Sequence, residues 1–232
     1  MIFITLGTTF ILYNTQHLLL RYLGLKTTDQ KKDWYRKHRV VLWLMGTTGM
    51  AEMYPLVRSS WPFLLTYCIA GIISLLYFLP FSNLRSIPFL KSFIIGLVWT
   101  LISVIAPLEL TGVSHEKIYF SIAQLFFITS LCVLFNIRDV EQDIRSNTYT
   151  VPVLYGVKIA KLFAFILLVG FLVACYLTDP ALRFMLVSVI TFLASCGFTM
   201  GSSPQKHNFY YLLGVDGLIL FQSVLGFVFL KT

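Results

Sequence analysis

Residues 136–156 read NIRDVEQDIRSNTYTVPVLYG, from Asn136 at the end of one long apolar run to Gly156 at the start of the next. Asn136, Asp139 and Asp143 recur there at i, i+3 and i+7. On a helix those three side chains fall within an arc of roughly 60°, while Glu141 and Gln142 point elsewhere. An oxygen-rich stripe at the end of a membrane helix suits Mg²⁺ and, through the ion, a diphosphate. The reading turns on whether the flanking runs cross a membrane.

Their composition says that they do. The 232-residue chain is 57% hydrophobic and 12% charged, whereas soluble domains hold about 45–50% apolar and about 25% charged residues. Apolar runs of about twenty residues recur from end to end, the length of a membrane-crossing helix. Barrel strands would show short alternating segments instead. The pattern predicts an all-α polytopic bundle of about eight transmembrane helices, with cores near 2–23, 39–54, 61–80, 89–108, 116–137, 157–178, 181–200 and 209–230. Pro80, Pro88, Pro107, Pro180 and Pro204 sit at or near the ends of these runs, where helices tolerate them. The two long connections are expected at 24–38 and 138–156. No linker rich in Pro, Gly or Ser divides the chain, so 1–232 is read as one domain. Cys68, Cys132, Cys175 and Cys196 lie in apolar runs without a CxxC pair, which favours inert buried thiols over disulfides or a metal cluster.

The net charge of +8 reflects membrane topology and not nucleic-acid binding. With the N-terminus outside, fourteen of the eighteen Lys and Arg residues fall on the cytoplasmic side, and only Arg58, Lys117, Arg183 and Lys231 fall outside. Loops 24–38, 81–88, 138–156 and 201–208 then share the cytoplasmic face. No basic leader precedes the first apolar run, so an outside N-terminus is awkward. The expectation is therefore that Met1 begins one helix late, or that the chain is a shortened member of its family.

The 136–156 segment resembles the UbiA superfamily of intramembrane prenyltransferases. Members carry an aspartate-rich DxxDxxxD motif followed by a segment like GxxTxPVxxG. Asn136, Asp139 and Asp143 fill the three acidic positions, and Asn147 replaces the first glycine. Thr150, Val151, Pro152, Val153 and Gly156 match the remainder. Residues 84–99 look like the family's inner loop leading into its fourth helix, with Lys91 at the helix start, and 210–222 look like its last helix. The resemblance covers nearly the whole chain if the family's first helix is absent. It implies a multi-pass protein of a bacterial inner membrane that moves a prenyl group from a prenyl diphosphate to an aromatic or other lipophilic acceptor. It also implies Mg²⁺ as cofactor, Asn136, Asp139 and Asp143 as its ligands, Asp139 and Asp143 as catalytic residues, and an active side on the cytoplasm. The chemistry is coherent: carboxylates bind Mg²⁺, the ion binds diphosphate, and the apolar bundle receives the tail.

One motif departs from the family. Where members carry NDxxDxxxD near the end of the second helix, this chain has Asn14, His17 and Arg21 at the same i, i+3, i+7 spacing. The stripe is kept and its acids are gone. His17 and Arg21 can contact phosphate directly, since an Arg fork suits phosphate oxygens. Alternatively Arg21 snorkels to the interface and His17 is a satisfied bundle residue. A third arrangement pairs Arg21 with Asp139 or Asp143, fills the metal position and leaves a non-catalytic relative that binds an isoprenoid or quinone-type lipid or a membrane partner. Lys91 and Arg145 are further candidates for the diphosphate, and Arg138 either binds phosphate or balances charge. Asp216, inside the last apolar run, is a candidate for the acceptor pocket, because an intramembrane acid faces a cavity or a partner. A transporter is the weaker third class, with no paired inverted repeat in its favour.

Overall fold

The computed structural model describes residues 37, 38, 40, 41, 43, 44, 47, 61–78, 87–111, 115–146 and 148–230. Its elements are helical throughout. They run α1 Trp61–Phe78, α2 Leu90–Thr100, a π-helical turn Leu101–Ile105, α3 Ala106–Thr111, α4 His115–Arg138, α5 Val140–Arg145, α6 Val151–Thr178, α7 Leu182–Gly201, a second π-helical turn Tyr210–Val215 and α8 Gly217–Leu230.

Among the described residues, five segments are long and apolar enough to cross a membrane: Leu90–Glu109, Ile118–Arg138, Val151–Thr178, Leu182–Gly201 and Tyr210–Phe229. They lie where the apolar runs place them, with the shorter Trp61–Tyr77 in front. The helix expected over 2–23 lies outside the described residues, as does most of that over 39–54, where Val40, Val41, Trp43, Leu44 and Thr47 are helical.

The reason these helices suit a bilayer is visible on α6. Ala160, Ala164, Leu168, Phe171 and Cys175 are buried against neighbours. Leu162, Ile166, Val169, Val173 and Tyr176, on the other faces, are equally apolar and stay exposed. A helix that is hydrophobic all round needs lipid on its outer side. The inner face of α6 packs most extensively on α4, and α2 packs on α4 as well. Small residues set these spacings. A Cβ placed on Gly96 of α2 would overlap Thr129 Oγ1 of α4, so this crossing is close because residue 96 has no side chain.

The buried hydroxyls of α7 donate within their own helix. On α7, Ser188, Thr191, Ser195 and Thr199 each donate to the carbonyl four residues earlier, and Ser202 just beyond does the same to Phe198. All five are buried. In a medium without water this is how a polar residue is accommodated in a helix.

Segment 138–156, expected as a long loop, is mostly helical. Helix α4 ends at Arg138, Asp139 adopts φ −89° and ψ 8°, and α5 continues from Val140. Two bonds carry the chain through the bend: Asp139 N to Phe135 O at 3.0 Å and Asp143 N to Asp139 O at 2.8 Å. Helix α6 begins at Val151, earlier than expected, because Pro152 sits in its first turn where no amide is needed. Gly156 then breaks it with φ 83° and ψ 164°. That conformation is essentially restricted to glycine. No heavy atom lies within 4 Å of a Cβ built there, so glycine serves the backbone and not the packing.

Candidate functional site

The antiparallel course of the helices brings the start of α2, the end of α4, all of α5 and the start of α6 to one end of the bundle. Asp143, 6% exposed, is the centre of what they build. Lys91, in the first turn of α2, donates its Nζ to Asp143 Oδ1 at 3.1 Å and Oδ2 at 3.2 Å. Thr150 Oγ1, just ahead of α6, donates to Asp143 Oδ2 at 3.1 Å. Thr148 N bonds the Asp143 carbonyl at 2.8 Å and folds the intervening turn back onto α5. Two turns earlier in the chain, the buried Asn136 donates Nδ2 to Ser92 Oγ at 2.8 Å. Residues of α2 and of the segment leading into α6 thus fix one carboxylate and one amide.

Asp139 is treated differently. Arg138 forks onto it, Nε to Oδ1 at 2.7 Å and Nη2 to Oδ2 at 3.0 Å. The guanidinium also lies 4.8 Å from the Phe135 ring centroid and 5.8 Å from that of Tyr211, a cation–π arrangement that holds it flat. Tyr211 is itself fixed, its hydroxyl donating to Ser203 O at 2.9 Å and accepting from Ser203 N at 3.0 Å. The α7–α8 connection therefore backs the Arg138–Asp139 pair.

The uninterrupted helical stripe drawn from the spacing needs correction. Asn136 and Asp143 turn inward, whereas Asp139, at the bend, leaves 30% of its side chain exposed and engages its own neighbour. Arg145 pairs with Glu141 across one turn at 3.4 Å, with both side chains 80% exposed. Asp216 follows the second π-helical turn, is exposed, and shares an electrostatic field with Arg138. Asn14, His17 and Arg21 lie outside the described residues.

Ser92 and the hold of Thr150 on Asp143 are the parts that motif reading passed over. Ser92 had a usable signal, being the polar residue that enters an apolar run directly after Lys91. Thr150 had the motif position but no assigned partner. On the other side of α2, about 200° around the helix from Lys91, Phe93 joins Phe89, Phe126, Phe163 and Leu167 in lining an open apolar cleft of ≈ 320 Å³.

The donors suit Mg²⁺ in type, being carboxylate and amide oxygens. Among the described residues no three His, Cys, Asp or Glu side chains gather around one point. Mg²⁺ does not require that, since it is held through one or two carboxylates together with water and substrate phosphates. Both carboxylates already face a basic group, so a dication bound there would have to displace Lys91 or Arg138.

No family model matches the chain, and no significant match was found among curated proteins or solved structures.

Proposed function

We propose that the chain is a UbiA-like integral membrane prenyltransferase whose head-group site is the Lys91–Asp143–Thr150–Asn136 cluster at the cytoplasmic membrane boundary. The observation that carries this reading is the contact of Lys91 with Asp143. It joins Lys91 and Asp143, 52 residues apart in the chain, from the two stretches, 84–99 and 136–156, on which the resemblance rests. A prenyl diphosphate places its charged head at the helix ends and its hydrocarbon among the apolar helices. Lys91 faces the terminal oxygens as a flexible point charge. Thr150 and Ser92 hold Asp143 and Asn136 in place, and Arg138 keeps Asp139 compensated. Asn136, Asp139 and Asp143 are the residues that would hold Mg²⁺, which when bound supplies charge neutralisation for the departing diphosphate. The allylic C–O bond breaks with its electron pair leaving on the diphosphate, and a carbon of the lipophilic acceptor forms the new bond and gives up its proton.

A second reading is a non-catalytic relative that binds an isoprenoid or quinone-type lipid. The compensated state of both carboxylates favours it, as does the loss of acids at residues 14, 17 and 21. Membranes containing the full chain, given radiolabelled prenyl diphosphates and a panel of aromatic acceptors, separate the two. Product formation that is lost in Asp143→Asn supports the transferase. No product with any chain length, together with a cellular phenotype indifferent to Asp139→Ala and Asp143→Ala, refutes it and supports the second reading.

A further inference from the structure

We propose that Lys91 is a specificity residue that keeps free metal ions off Asp143, so that the site admits a divalent cation and a diphosphate together and neither alone; this rests on the head-group site described above. Asp143 cannot offer both oxygens to a metal while Lys91 Nζ lies 3.1 and 3.2 Å from them. Lys91 cannot give its full charge to a phosphate while it serves Asp143. Each ligand needs one half of the same ion pair, and separating the pair for one frees the other half for the second. That is positive thermodynamic coupling, reciprocal by necessity.

Three features of the surroundings fit an ion pair made to be separated. Lys91 stands in the first turn of α2, where the helix dipole disfavours a cation and favours an anion. The preceding Phe89 caps the helix without a side-chain hydrogen bond and holds a strained φ of 67°. Asp143 meanwhile does not depend on Lys91 for its position, since Thr150 Oγ1 and the Thr148 amide anchor its carboxylate and its backbone. The lysine side chain is 19% exposed and flexible, and the aspartate is 8% exposed and fixed. When the pair opens, the lysine moves and the carboxylate stays.

The test uses the full chain in detergent micelles, with Mn²⁺ as an electron-spin-resonance probe for the metal and inorganic pyrophosphate for the head group. Wild type should bind Mn²⁺ weakly alone and more tightly with pyrophosphate. Lys91→Gln, which removes the charge and keeps a hydrogen-bond donor, should bind Mn²⁺ alone about tenfold more tightly than wild type. The same variant should bind pyrophosphate less well, and Lys91→Arg should restore the exclusion of free Mn²⁺. A purely structural lysine would leave metal affinity unchanged or lower it when replaced. Mn²⁺ affinity in Lys91→Gln equal to or below wild type, with pyrophosphate-dependent binding intact in wild type, overturns this inference and leaves the head-group site standing. No Mn²⁺ bound by wild type with or without pyrophosphate overturns both.

Discussion

Replacing Lys91 by Met should destabilise the protein by about 3 kcal/mol, and the structure supplies the reasoning. At 3.1 Å and an effective dielectric of about 20, the Lys91–Asp143 attraction is about 5 kcal/mol before desolvation is counted. Removing one partner of a buried pair leaves the other charge uncompensated and costs about 3–5 kcal/mol. Because the lysine is 19% exposed, water shares in the solvation and the lower end applies. For a chain of this size such a loss lowers the unfolding midpoint by about 6–12 °C. Thermal unfolding in detergent can be followed by a thiol-reactive fluorophore, since Cys175 and Cys196 are buried free thiols while Cys68 provides a constant exposed background. Lys91→Met/Asp143→Leu should regain at least half of the loss, because an apolar pair of similar volume replaces a buried ion pair at little cost. A midpoint for Lys91→Met within about 2 °C of wild type would refute the claim that the pair is buried and intact.

Two further substitutions probe the fold that carries the site. Gly156→Ala should cost about 1–3 kcal/mol through backbone strain alone, read as a lower unfolding midpoint, with no relief from trimming neighbouring side chains because none is close. Gly96→Ala should cost about 1–3 kcal/mol by overlap with Thr129; Thr129→Ala, which removes a buried hydroxyl that has no hydrogen-bond partner, should be nearly neutral alone and recover part of the Gly96→Ala loss in the double variant.

The apolar runs were legible because membrane helices are selected for composition over about twenty residues, and α2, α4, α6, α7 and α8 lie where those runs put them. The 138–156 connection was misread because its charges, proline and glycine look like loop chemistry. The structure instead uses Pro152 to open a helix and Gly156 to bend it. Spacing placed Asn136 and Asp143 on one side correctly. It could not foresee that Asp139 would fall on the bend, where a change in φ and ψ breaks helical phase and hands the carboxylate to Arg138. Nor could periodicity name partners across helices. Ser92 meets Asn136 because Gly96 lets α2 approach α4, a tertiary fact that neither segment contains by itself.

The hydroxyls of α7 that donate to carbonyls of their own helix have a consequence for insertion. A segment whose polar groups are satisfied internally can enter the bilayer singly, as it leaves the ribosome, and find its neighbours afterwards. The inter-helix bonds described above, Lys91 and Thr150 to Asp143, Asn136 to Ser92 and the tether of Tyr211 to Ser203, all sit at one end and need several inserted segments to be present together. The polar end therefore cannot form until the helices that carry it are in place, whereas α7 needs no neighbour to satisfy its hydroxyls.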